Sequence, residues 1–330
     1  MSPLFSLELF IAAFAGGAVG AAIGALPSFV FTGFMVIVGE ALSIVRRHAV
    51  TDGGVPAVTD LIAFGVVFGP HVSFAGGAAA AAFAAKRGLF STPEDPFNAK
   101  DILTGLGTRP DVLVVGGLFG MLGHAILIGS LTIEGPWDPV AMALVISALF
   151  HRLVFGYEVF GNASKQDLLA VSPTRAWLPY MTEWSHVTAI GIVAGILGGY
   201  LVYVTGSVFL GFGISAASLL FMIAGTKRIP VTHHMTLPAS TAVMAAAGLS
   251  IGDLSPALFA TRIDLTHALL IGGVFGGIGA LFGELIQRLW YQPASTHLDP
   301  PAASIVMSTF VIALLSIGGI FETAGWVPHP

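Results

Sequence analysis

Long apolar runs broken by short polar stretches set the pattern of this chain. Ten runs stand out, near 5–25, 27–45, 57–86, 110–131, 138–157, 186–205, 207–225, 229–250, 266–289 and 301–321. A helix crossing a hydrocarbon core about 30 Å thick needs about 20 apolar residues. The pattern therefore predicts an all-α integral membrane protein of about ten transmembrane helices. The third run is too long for one span and contains Gly69-Pro70, so it divides into two shorter pieces.

The runs also repeat. Residues 113–123 read LVVGGLFGMLG and residues 269–279 read LLIGGVFGGIG, identical at six positions. A later match pairs Asp138-Pro139 with Asp299-Pro300, each pair just before an apolar run. An earlier one pairs His71-Val-Ser-Phe-Ala-Gly with His234-Met-Thr-Leu-Pro-Ala. The three matches keep their order in both halves. The expected organisation is a first membrane repeat at 1–157, a polar connector at 158–185 and a second repeat at 186–330. Five spans per repeat is an odd number, so the second half would insert upside down, which is the build of many secondary transporters. This architecture is similar to that of small-solute channels, including urea transporters, although the LPxPxxTxPF signature expected of those is absent. The glycines of each repeat, such as Gly16, Gly17, Gly20 and Gly24, or Gly116, Gly117, Gly120 and Gly123, fall on one helix stripe. They read first as close helix packing, because a dinucleotide fingerprint needs a βαβ frame.

Composition strengthens the membrane reading. Apolar residues make up 55% of the chain and charged residues only 9%, where a soluble domain carries about 25%. No basic residue precedes the first run, so no cleaved signal peptide is expected. With the N-terminus outside, predicted cytoplasmic loops would hold Lys86, Arg87, Lys100, Arg109, Arg152, Lys165, Arg175, Lys227, Arg228 and Arg288. Only Arg46, Arg47 and Arg262 would remain opposite. That asymmetry predicts both termini outside the cytoplasm. The net charge of −5 gives no basic stripe for nucleic acid. The absence of Cys removes thiolate metal sites, disulfides and cysteine nucleophiles.

The chemistry concentrates where helices should break. Gly69-Pro70 lies inside an apolar run, and Pro230 and Pro238 flank His233-His234. Proline removes a donor and clashes with the preceding turn, so broken or re-entrant helices are expected at 57–86 and 229–250. Paired breaks at matching positions in two halves point to a transport site. His71, His233 and His234 stand at these breaks, with Ser73, Thr232 and Thr236 as hydroxyl ligands beside them. His124, Glu284 and Glu40 are the other ionisable groups within runs, and such groups are functional hypotheses by default. Most have a plainer account: the histidines at the breaks can cap freed carbonyls, Glu284 can pair with Arg288 at i,i+4, and Glu40 can pair with Arg46; His124 has no charged sequence neighbour and is the cleaner candidate. Asp138 and Asp299, each before a proline, read as helix N-caps; His297-Leu-Asp299 can add a metal or solute contact.

The expected function is a secondary transporter or channel moving a small polar solute or ion through a site between two inverted repeats. It would be no enzyme and carry no cofactor; its partners would be the bilayer and the solute, with a homo-oligomer permitted by the small-residue stripes. One alternative is a membrane-embedded metal- or haem-binding enzyme or redox subunit using His71, His233 and His234 as ligands. Another is a structural subunit of a larger complex. A Walker A sequence, an H-E-x-x-H helix, a G-x-S-x-G elbow and a TVGYG filter are all missing, and all four lysines fall in predicted loops or at run ends, where none can hold retinal.

Overall fold

The computed structural model describes residues 5–48, 57–161, 169–172, 174–251 and 254–325. Lys165 and the middle of the predicted connector lie outside the described residues. All regular structure among those described is helical. The first half holds α1 (Leu7–Ile23), α2 (Ala25–His48), a π-helical turn (Thr59–Ala63), α3 (Ser73–Lys86), α4 (Pro110–Thr132) and α5 (Pro139–Val154). The second holds α6 (Trp184–Thr205), α7 (Leu210–Ala217), α8 (Leu219–Ile223), α9 (His233–Ala246), α10 (Pro256–Arg262), α11 (Leu265–Ile286), a π-helical turn (Gln287–Tyr291) and α12 (Pro300–Ile317).

Five helices are long and apolar enough to cross a membrane: α2, α4, α6, α12, and α11 continued by its π-helical turn. They make this a multi-pass membrane protein. The remaining apolar helices are shorter than a full span. α1 has 17 residues and α5 has 16, while α7 and α8 together cover Leu210–Ile223. α3 and α9 have 14 residues each, which is ~21 Å of helix. These two lie at the centre of their halves. Alanine and glycine fill α3, and nearly every position of both helices is buried. A helix apolar on every side is one packed on every side.

Local signals explain the boundaries. Ser6 accepts a hydrogen bond from the Leu9 amide at 3.3 Å to start α1. Gly24, at φ +100°, turns the chain from α1 into α2, a conformation that residues with a Cβ avoid. Asp138 and Asp299 accept from the amides of Ala141 and Ala302 at 2.8 and 2.9 Å, each with proline at the first helical position. The Gly69-Pro70 break occurs as expected, and α3 begins only at Ser73. The break expected at Pro238 does not, because α9 runs through it from His233 to Ala246. Pro238 lacks the amide that would have bonded to the His234 carbonyl, and Gly279 packs directly against that carbonyl instead.

The two halves use the same packing pairs. α1, α3 and α4 pack mutually, as do α6, α9 and α11; α5 then covers α4 and α3 as α12 covers α11 and α9. The glycine stripes make this possible. A Cβ on Gly17 would collide with the Gly116 carbonyl, and one on Gly195 with the Gly272 carbonyl. Gly123 meets the His71 carbonyl as Gly279 meets that of His234, so the residues matched in sequence occupy matched places. The halves join where α2 packs on α7, with Gly33 against Ala216 and Ala217, and where α5 packs on α12. Among the polar contacts that tie them, the Asp138 amide donates to Thr309 Oγ1 at 2.9 Å, and Ser207 donates to Glu40 at 2.6 Å.

Candidate functional site

A cavity of about 410 Å³ lies between the halves. The starts of four helices reach it: Pro70 and His71 lead into α3, Asp138 and Pro139 open α5, His233 opens α9, and Asp299 caps α12. This follows from the breaks, since a helix that begins in mid-protein presents its unbonded amides at depth. One wall is aromatic. Phe64 lies 5.1 Å from Phe209 and 5.5 Å from Phe212, Phe29 lies 5.7 Å from Phe212, and the His233 ring sits 4.7 Å from Phe29. The lining also carries His71 and His124, with ring centres 6.4 Å apart. His71 is fully buried, and neither of its ring nitrogens has a partner among the described residues.

The cavity has two unlike ends. At one, the lining residues Asp60, Leu61, Leu131 and Ile251 are exposed. At the other, beyond Asp299 and Leu144, only a void of about 10 Å³ remains, bounded by Phe74, Ala78, His151 and His297. The His297 ring lies 5.6 Å from Phe74 and 5.3 Å from Tyr291. Behind it Arg152, fully buried, donates to the Thr296 hydroxyl and carbonyl at 3.0 Å each, to Val159 O at 2.7 Å and to Trp290 O at 3.2 Å. Lys100, in the loop before α4, donates to Tyr291 O at 2.8 Å and lies 4.3 Å from the centre of that ring. Burial, followed by the nearby Arg152 and Arg175, pushes its amine down to about 8. These contacts cross between halves and seal this end.

The expected site residues divide. His71, His124 and His233 line the cavity. His234 does not: one step round α9 from His233, its ring packs on Gly283 and faces a separate void of about 30 Å³ with Glu284. Glu284 accepts from Arg288 at 2.7 Å and from Gln287 at 2.8 Å, and Arg288 also donates to Thr182 O. The i,i+4 pair is therefore present. Glu40 pairs with hydroxyls rather than with Arg46, accepting from Thr59 at 2.7 Å and from Ser207 across the interface. Ser73 and Thr236 return their hydroxyls to carbonyls of their own turns and lie outside the cavity lining, as does Thr232. His71, His233 and His234 do not converge on one point, and no group of three or more His, Asp or Glu among the described residues can hold a metal ion.

Sequence reasoning read Asp138 and Asp299 first as helix caps, with a metal or solute contact added only for Asp299 beside His297. They do cap, and both also face the cavity. Their duplication beside the repeated glycines was the available signal. The aromatic wall carried none, because Phe29, Phe64, Phe209 and Phe212 are scattered among 24 phenylalanines.

No curated protein and no solved structure matches this chain. One family model does, twice, over residues 1–176 and again over residues 174–330. The two matches meet within the polar stretch between the halves and together span the sequence, so the chain belongs to the family of unknown function DUF7973.

Proposed function

We propose that this chain is a secondary transporter or channel for a small polar solute or ion, with its binding site in the cavity between the halves. The halves are read as inverted repeats, and both termini as lying outside the cytoplasm. The observation that carries the reading is the cavity itself, reached by four helix starts and by a fully buried His71 whose ring nitrogens have no hydrogen-bond partner among the described residues. Irregular backbone and unpaired polar groups are costly at membrane depth unless they line a cavity. A packing-only subunit has no use for a space of this size lined by carboxylates and imidazoles. The unlike ends support a site reached from one side at a time.

The test is solute flux in proteoliposomes with internal pH monitored, comparing wild type with His71→Ala/His233→Ala. Flux should fall at least tenfold in the double variant while its helical content and elution profile stay unchanged. Wild-type protein that moves no solute and no proton across a broad panel defeats the reading.

A further inference from the structure

The cavity lining has a charge that the transport reading alone does not explain. It includes Asp60, Asp138 and Asp299 and, among the described residues, no lysine or arginine. No lysine or arginine pairs with Asp138 or Asp299 among those residues either; Asp299 has only His297, at 3.4 Å. Each carboxylate spends one oxygen on its helix cap. Asp138 bonds through its amide to Thr309, ten residues along α12 from Asp299. That spacing is ~15 Å at the helical rise, so the two carboxylates mark different depths, Asp299 at the sealed end and Asp138 nearer the open one. Phe29, Phe64, Phe209, Phe212 and His71 share the lining with them.

We propose that this site binds an organic cation, an amine held as its ammonium with an apolar body. This rests on the cavity being the binding site of the preceding section. An anion would meet like charge with no compensating cation. A bare metal ion lacks a set of three converging ligands. An ammonium finds a carboxylate at Asp299, aromatic faces that attract cations, and the imidazole of His71 to take an N–H. The apolar body covers phenylalanine surface that a small hydrated ion leaves wet. A cavity of this volume falls in the range of small-molecule sites, about 300–1,000 Å³.

Binding of radiolabelled 2-phenylethylamine to the purified chain tests this, with 2-phenylethanol and phenylacetate as competitors of the same shape. The amine should bind saturably, and the alcohol and the acid should compete at least tenfold more weakly than unlabelled amine. Asp299→Asn keeps a good N-cap but removes the charge, and should weaken amine binding at least tenfold while leaving thermal unfolding within a few degrees of wild type. His71→Gln should weaken it by a smaller factor. Competition by the alcohol or the acid as strong as by the amine, or undiminished binding in Asp299→Asn, overturns the proposal. So does saturable uptake of a neutral or anionic solute by a protein that binds no amine, and that result leaves transport standing. Amine binding lost in Asp299→Asn, without amine flux into vesicles, upholds the site and removes transport.

Discussion

Arg152 shows how an apolar bundle tolerates a buried charge. No carboxylate pairs with it among the described residues; its guanidinium instead donates to three carbonyls and a hydroxyl. The planar fork suits that task, since several donors leave one group in fixed directions. Arg152→Met strands those acceptors in a dry place, at about 1–3 kcal/mol each when unsatisfied. Thermal unfolding in detergent, followed through the tryptophans, should show a loss of several degrees, with only partial recovery in Arg152→Lys. An unchanged midpoint in Arg152→Met would mean that water already serves these carbonyls. Lys100 makes a separate prediction about pH. Its amine falls to about 8 in the folded chain and returns to the ordinary lysine range on unfolding, so between those values the unfolded state holds the extra proton. Stability should therefore rise with pH from about 8 to about 10.5, by at most about 3 kcal/mol. Below pH 8 the cost of the buried charge is fully present. Lys100→Met should flatten that rise; equal pH slopes for the two proteins would sink the account.

At the scale of the elements, glycine position decides whether helices meet. A Cβ on Gly276 would run into the Gly191 carbonyl, whereas Gly129 on α4 has nothing within 4 Å of its would-be Cβ. Alanine at both sites gains helix propensity of up to about 1 kcal/mol, but overpacking typically costs about 1–3 kcal/mol. Gly276→Ala should lower the unfolding midpoint while Gly129→Ala leaves it level or raises it. The opposite order would remove the close-packing role of the stripe. These stripes were legible in the sequence because spacing along a helix maps directly onto a face, and the repeated His and Asp-Pro positions were legible for the same reason. The polar details were not. Hydroxyls at Ser73 and Thr236 read as ligands, yet within a helix the nearest acceptor is their own preceding turn, which captures them. Glu40 read as a partner for Arg46, its near neighbour in sequence; Thr59 instead reaches it from the π-helical turn that packs on α2, and Ser207 only when α2 packs on the second half. Likewise, one helical step separates His233 in the cavity from His234 outside it, a distinction set by packing and not by residue type.

At the scale of the whole molecule, the two halves use the same packing pairs, yet the cavity they enclose is open at one end and sealed at the other. The seal is built from residues without counterparts in the repeat: Arg152 and His151 on α5 match Ala313 and Ile312 on α12 when Asp138 is aligned with Asp299. One end is thus held by a hydrogen-bonded plug, and the other has no such group at the matching place. Because the chain contains no Cys, single cysteines report access without background. Leu127→Cys lines the cavity, and Ala78→Cys lies in the small void beyond Asp299. A membrane-impermeant thiol reagent should label Leu127→Cys from one face of a vesicle only and leave Ala78→Cys nearly untouched from both. Adding Arg152→Ala should raise the rate at Ala78→Cys, from the face that carries Lys100, by tenfold or more. Rapid labelling of Ala78→Cys with Arg152 in place would show that the plug does not close the path. Persistent protection after its removal would place the barrier at the Phe74–His297 contact instead, and Phe74→Ala would then be the change that opens it.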